Sequence, residues 1–171
     1  MALWLALCVA PLLAAGCGYH VAGHASQLPS EWTDIAIPAF KNDTTTYRIE
    51  QKMTQAVIRE FITRTKYRVV QDPKSADATL HGEVVSIEID PVLFQATTGE
   101  VTTMLVTVHT KVELIDNKTE KPVYKNDDMV FRDEYQISTD VKSFFQEEDP
   151  AVERMSRDLA SHLVSNVLEN F

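Results

Sequence analysis

The fold is decided by the stretch VTTMLVTVHTKVELID, which runs from Val101 to Asp116. Apolar and polar residues alternate along it, and a period of two places successive side chains on opposite faces of a β-strand. One face would carry Met104, Val106, Val108, Val112 and Leu114, and the other Thr103, Thr107, His109, Lys111 and Glu113. The stretch therefore predicts one unusually long strand. Its threonine-rich face is either bare antiparallel sheet or a surface that a partner covers.

Two further long strands are predicted on either side of this stretch. Residues 76–90 alternate with a slip of phase, so we expect a β-bulge near Val84, and residues 92–96 are expected to continue the strand beyond Pro91. Residues 121–137 form the last strand, with a second irregularity at Asn126-Asp127-Asp128. Shorter strands are predicted at 33–40 and 67–71, and Pro38 restricts the first of them to an edge or a strand end.

Two helices are predicted from apolar residues that recur every three or four positions. The first covers residues 47–64, with Thr46 as its cap and a buried stripe at Ile49, Met53, Val57 and Phe61. The second follows Asp149 as its cap and Pro150 as its first residue, with a stripe at Val152, Met155, Leu159, Leu163 and Val167. This order predicts an α+β, two-layer sandwich. Both helices would pack on one face of a four- to five-stranded, mostly antiparallel or mixed sheet.

The N-terminal residues have the features of a cleaved leader. Residues 1–16 carry no charge and are too few to span a bilayer, and small residues precede Cys17. The run Leu13-Ala14-Ala15-Gly16-Cys17 resembles a bacterial lipobox, although Ala14 stands where leucine is usual and the leader lacks a Lys or Arg. The competing interpretation is a buried N-terminal helix with an ordinary core cysteine. We predict a leader at 1–16, lipidation of Cys17, a linker at 17–32 and one domain at 33–171.

Composition and motifs exclude several classes of function. The chain has 16 basic and 25 acidic residues, giving a net charge of −9, which is a poor match for nucleic acid or an anionic bilayer surface. No nucleophile elbow, phosphate loop or dinucleotide-binding turn is present. His20 and His24 have metal-ligand spacing but lie beside glycines that disfavour a helix. We therefore expect no enzyme, no cofactor and no metal site.

The mature chain resembles the LPS-assembly lipoprotein family LptE. The likeness is carried by Cys17–His20, Leu28-Pro29, Ile35–Thr44, Ala76–Val84 and the hairpin leading into residues 101–116. It implies a lipid-anchored protein on the periplasmic face of the outer membrane. It also implies a 1:1 complex in which this protein plugs the LptD β-barrel, helps it assemble and binds lipopolysaccharide for delivery to the outer leaflet.

The resemblance also bears on individual residues. In the family, bases in the loops at the sheet ends are thought to touch lipopolysaccharide phosphates. The loop after Phe94 has Gln95 and no base, so Lys142 is the best remaining position. Since a barrel lumen is polar, we expect the threonine-rich face, including Thr103, Thr107 and His109, to abut it. Two other interpretations stay open: a lipoprotein adaptor of another secretion or Tol-like envelope complex, and an envelope enzyme with an unrecognised site.

Overall fold

The computed structural model describes residues 28–136 and 150–169, which form one mixed sheet and two helices. The strands are β1 (Asp34–Ala36), β2 (Lys41–Asn42), β3 (Arg68–Val70), β4 (Ala78–Phe94), β5 (Val101–Asp116) and β6 (Lys121–Gln136). The helices are α1 (Ile49–Arg64) and α2 (Pro150–Glu169), and a 3₁₀ turn covers Pro73–Ser75. The predicted α+β class is confirmed, and the predicted long strand over 101–116 has the same bounds in the structure.

The sheet has the order β3-β1-β4-β5-β6, and β2 pairs with β4 beside β1. β1 runs parallel to β3 and β4, β2 runs parallel to β4, and β4, β5 and β6 form an antiparallel meander. The sheet therefore has one strand more than the upper limit predicted. The additional strand arises because β1 ends before Pro38, which cannot donate a ladder hydrogen bond, and the chain rejoins the sheet at Lys41.

Both predicted irregularities in the long strands are confirmed as bulges. Pairing of β4 with β5 shifts between Val84 and Ser86, which leaves Val85 as the extra residue. Pairing of β5 with β6 shifts between Thr110 and Val112, where the β6 partners jump from Met129 to Asn126. Each bulge shifts the alternation between the two faces of the strand by one residue. The apolar residues before the bulge and those after it therefore both face the core.

The core lies between the two helices and one face of the long strands. It combines the predicted stripes of α1 and α2 with alternate residues of β5 in a single buried cluster. Ile49, Met53, Val57 and Phe61 of α1 are all fully buried, as are Met155 and Leu163 of α2. The cluster also includes Leu28 and Trp32, so the packed domain extends N-terminally to Leu28.

The predicted cap of α1 is wrong. The residue before α1 is Arg48, which has a left-handed backbone (φ 53°) and makes no side-chain cap hydrogen bond. Asn42 organises this loop instead, because its amide donates to the Thr46 carbonyl at 3.0 Å and to Glu50 at 2.9 Å. The helix therefore begins two residues later than the predicted start at residue 47.

Phe40 packs over Gly82, which lies near the start of β4. Phe40 is buried, and its backbone N–H donates to Thr54 Oγ1 of α1 at 3.0 Å. A Cβ atom built on Gly82 would lie 2.4 Å from the Phe40 ring. The absence of a side chain at residue 82 is therefore what allows the segment between β1 and β2 to pack directly on the sheet.

Gly82→Ala should lower the free energy of unfolding by about 1–3 kcal/mol, because overpacking a core displaces its neighbours. Urea unfolding of the wild type and the variant measures this difference. A second measurement, on Phe40→Leu with and without Gly82→Ala, should show a smaller cost of the alanine when the ring is gone. Equal costs in both backgrounds would contradict the contact.

Candidate functional site

The candidate site is the sheet face opposite the helices, formed by β4, β5 and β6 and here called the open face. On the central strand its residues are Thr103, Leu105, Thr107, His109, Lys111 and Glu113, whereas the alternate residues of β5 are buried on the helix side. Neither α1 nor α2 covers the open face, since both contribute to the core cluster on the other side. Within the described residues the sheet therefore has one packed face and one uncovered face.

The three residues predicted for a partner face lie in one column on the open face. Thr103 pairs with Leu93 on one side and Gln136 on the other, and Thr107 pairs with Glu88 and Arg132. Thr103 and Thr107 are each only 5% exposed. A partner would therefore first meet the longer side chains beside these threonines, and sequence alone could not supply those neighbours because they depend on strand register.

The middle of the open face combines an apolar centre with flanking charges. Leu105 lies in register between Asp90 of β4 and Glu134 of β6, both of which are exposed. The next row places Glu88 and Arg132 on either side of Thr107. This half of the open face is polar and has a net negative charge, and the apolar Leu105 lies at its centre.

His109 has an acidic partner that the sequence did not reveal. Its Nδ1 lies 2.7 Å from Asp128 Oδ1, and Asp128 belongs to the bulge of β6. The sequence gives no sign of this contact, because residues 109 and 128 become neighbours only through the pairing of β5 with β6. The contact links a central residue of the open face to the edge strand.

The half of the open face nearest the β5–β6 turn is a ladder of ion pairs. Glu83 contacts Lys111 at 3.1 Å and Lys41 at 3.7 Å, and Lys125 contacts Asp127 at 3.1 Å. The lysine side chains are 48% to 65% exposed, so each pair contributes little to stability. Opposite charges alternate here, and this half therefore carries no strong field of one sign.

The opposite end of the meander exposes apolar side chains. Val92, Leu93 and Phe94 are 37%, 56% and 57% exposed, and they are consecutive at the end of β4. Pairing with β5 is irregular on both sides of Leu93. Sequence alone predicted that these residues continue the strand, but not that they remain uncovered.

Hydrogen bonds of half-buried and exposed polar groups join the start of β4 to the N-terminal segment. Asp77 Oδ2 accepts the backbone N–H groups of Thr33 at 2.7 Å and Asp34 at 3.0 Å. These donors lower the pKa of the Asp77 carboxyl, Thr33 having the larger effect. Asn117 donates to the carbonyls of Pro73 and Ala76, which closes the same end of the sheet.

Three bases, Arg64, Lys66 and Arg68, lie at or just beyond the end of α1. Arg64 donates to Ser165 Oγ at 2.7 Å and to the Ser161 carbonyl, which joins α1 to α2. Arg68 pairs with Asp34, and Lys66 reaches the Ser30 carbonyl at 3.5 Å. The three bases therefore have internal partners and stabilise packing between elements.

Several predicted features lie outside the described residues. These are Cys17, the His20–His24 pair, Lys142 and the Asp149 cap. Among residues 28–136 and 150–169, no three His, Cys, Asp or Glu side chains come together in a way that could hold a metal. In the same ranges, neither helix combines the length and the apolar character that crossing a bilayer requires.

The comparison with protein families decides the identity. Residues 32–167 match the family model LptE, Lipopolysaccharide-assembly. The chain belongs to the LptE family. Membership of this family assigns the chain to lipopolysaccharide assembly. No curated protein sequence matches it.

Solved structures share the fold of this LptE-family chain at low sequence identity. Lipoprotein B from Nitrosomonas europaea is 15% identical with a TM-score of 0.53, and the match covers 90% of this chain and 92% of that one. A hypothetical protein from Chlamydia trachomatis is 7% identical with a TM-score of 0.55, covering 79% and 95%. PelC from Paraburkholderia phytofirmans is 14% identical with a TM-score of 0.52, covering 84% and 93%. At these identities the likeness supports the fold alone.

Asp77→Asn should destabilise the fold at neutral pH and make its stability less dependent on pH in the acid range. The folded-state pKa of Asp77 is lowered, so its contribution is present above the unfolded pKa of about 3.9 and is lost as pH falls through the folded value. Thermal unfolding between about pH 5 and pH 2 should show a shallower loss of stability in the variant. Parallel curves for the two proteins would contradict this role.

Proposed function

We propose that this LptE-family lipoprotein plugs the lumen of an LptD-like outer-membrane β-barrel in a 1:1 complex. In this role it helps the barrel assemble and binds lipopolysaccharide on its way to the outer leaflet. The observation that carries the proposal is the open face, since three strands of 16 or 17 residues present a polar face that neither described helix covers.

The chemistry of the open face suits the interior of a barrel. The lumen of an outer-membrane barrel is polar, whereas its outer wall is apolar. On the open face, charged residues flank Leu105, and the threonine side chains are only 5% exposed. Polar groups of a barrel wall could therefore replace the water on this face at a moderate cost in free energy. The same face would be a poor match for lipid chains, because Glu88, Asp90 and Glu134 stand exposed on it.

The second part of the proposal is a lipid anchor at Cys17. Lipidation of Cys17 with two or more acyl chains would hold the protein stably at the inner leaflet of the outer membrane. Gly18 follows the cysteine, and an aspartate, which is associated with inner-membrane retention, does not. An anchored domain is confined to a thin layer of periplasm, which favours partners in the same membrane.

Leu105→Lys should abolish co-purification with the barrel while leaving the fold intact. The new ammonium group would lie between Asp90 and Glu134, so the isolated domain would gain favourable charge contacts. In the complex these charged groups would be buried in the interface, and the loss of their hydration would oppose binding. The measurement is the yield of the barrel retained by tagged lipoprotein from solubilised outer membranes, with thermal unfolding as the check on folding.

Gln55→Lys is the matched control, since Gln55 is exposed on α1, on the helix side of the sheet. This variant should retain the barrel at the wild-type yield. Wild-type yield from a folded Leu105→Lys variant would contradict the assignment of the open face to the lumen. Retention of a different envelope complex in place of a barrel would instead favour the adaptor role.

Lys142→Glu should weaken lipopolysaccharide binding without unfolding the protein. A reversed charge would repel the phosphates of the ligand, and Lys142 is the basic position that the family resemblance leaves available. Binding to purified lipopolysaccharide, compared with Lys118→Glu in the β5–β6 turn, measures the effect. Equal binding by the two variants would remove Lys142 from the site.

A further inference from the structure

β4 is paired along its whole length on only one of its two sides. β5 lies along it from Ala78 to Phe94, whereas on the opposite side β1 and β2 pair with it only as far as Val84. Beyond Val84, no strand among residues 28–136 and 150–169 occupies this side. The second half of β4 is therefore an edge of the sheet, in line with β2 and next to the place where the chain leaves β2.

The regular part of this edge is short and has clear bounds. The bulge at Val85 precedes it, and Pro91, which has no backbone N–H, follows it. Residues 86–90, here called the β4 edge, pair with β5 in unbroken register between these two points. The β4 edge is therefore a straight length of strand to which one further short strand can be added.

The direction of the backbone groups follows from the bond that holds β2. In an antiparallel pair, successive residues direct their N–H and C=O groups alternately toward the neighbouring strand and away from it. The Val84 carbonyl accepts the Asp43 N–H at 2.9 Å on the β2 side, so Val84 faces away from β5. Thr110, which pairs with Val84, therefore faces away from β4 and toward β6.

The same alternation leaves two residues of the β4 edge facing outward. His109 precedes Thr110 and faces β4, where its partner is Ser86. Ser86 therefore faces β5, and Ile87 and Ile89 face away from it. Each of these two isoleucines presents one N–H donor and one C=O acceptor to the open side of the sheet.

The side chains of the β4 edge alternate between apolar and acidic. Ile87 and Ile89 are half-buried and pack against the core cluster on the helix side. Glu88 and Asp90 are exposed on the open face, and residues 86–90 include no Lys or Arg. An incoming strand with apolar residues on one face and basic residues on the other would match this pattern.

The first helix does not cover the β4 edge. Asn42 of β2 donates to Glu50 in the first turn of α1 at 2.9 Å, so the helix begins beside β2. It ends at Arg64, shortly before β3, and β3 lies with β1 at the other end of β4. α1 therefore runs away from the β4 edge, which leaves room for another chain.

The opposite edge strand, β6, is protected against strand addition. Pro122 lacks a donor, and a bulge interrupts the strand at residues 127–128. Further along, the Glu134 N–H already donates to Asp133 Oδ1 at 2.8 Å. Residues 86–90 contain no proline, bulge or side-chain bond of this kind, so the two edges differ in their capacity to accept a strand.

We propose that the β4 edge binds an extended segment of another protein in which basic and apolar residues alternate. The segment adds a strand next to β4, in line with β2, and its backbone bonds to Ile87 and Ile89. Its apolar side chains pack beside the two isoleucines, and its basic side chains lie beside Glu88 and Asp90. A second copy of this chain is a poor occupant, because pairing of two β4 edges brings their acids together.

The first test measures amide hydrogen exchange in the full lipoprotein in non-ionic detergent, with a short synthetic peptide of alternating lysine and valine. The Ile87 and Ile89 amides should exchange rapidly in the free protein and at least about tenfold more slowly with the peptide. A peptide with glutamate in place of lysine should give no protection. Because no barrel is present, the result is independent of the plug function.

Three results of this experiment would overturn the proposal. The first is exchange at Ile87 and Ile89 that the lysine peptide leaves unchanged. The second is slow exchange in the free protein, which would show that the chain itself or a second copy already covers the edge. The third is equal protection of Val130 in β6, which would show that the peptide does not distinguish the two edges.

The second test reverses the acids of the β4 edge. Glu88→Lys/Asp90→Lys should bind the glutamate peptide at least about tenfold more tightly than the lysine peptide. The control Glu31→Lys/Glu120→Lys makes the same change of net charge at exposed positions away from the β4 edge and should keep the wild-type preference. Melting temperatures check the fold of both variants. The same reversal in both would show a response to net charge alone and would overturn the proposal.

Discussion

The antiparallel ladder of β4, β5 and β6 is the constraint on which the rest of the structure depends. β5 is hydrogen-bonded on both sides, so its register fixes which side chains of all three strands share a face. On one face the alternate residues of β5 are buried against α1 and α2. On the other they form the open face. A slip of one residue would exchange these two sets, and the two bulges are what keep the pattern aligned over 16 residues.

The two ends of this ladder differ in their hydrogen bonds and in the side chains that they expose. At the start of β4, Asp77 and Asn117 satisfy backbone groups of neighbouring segments, and Trp32 packs into the core. An open cleft of about 690 Å³ borders this end, and its lining mixes acids with Lys74 and Lys118. At the other end, the turn between β4 and β5 is closed by its own hydrogen bonds, among them Gln95 N–H to the Glu100 carbonyl at 2.7 Å, and Leu93 and Phe94 beside it expose apolar side chains. The two ends of the long strands therefore present different chemistry to solvent.

The sequence was sufficient where periodicity is strong and insufficient where partners are distant along the chain. The alternation of residues 101–116, the bulge near Val84 and the stripe of α2 each follow from local pattern, and the structure confirms them. The cap of α1 could not be predicted, because Asn42 and not Thr46 organises that loop. The recessed threonines and the His109–Asp128 contact also depend on register between strands, which local pattern does not specify.

Carboxylate footprinting tests most directly the proposal that the open face meets the barrel wall. A water-soluble carbodiimide would label acids of the free protein and of the complex in outer membranes, with mass spectrometry reading each site. If the open face meets the wall, Glu88, Asp90 and Glu134 should be strongly protected in the complex. Equal labelling of these three residues in the free and membrane-bound protein would contradict it.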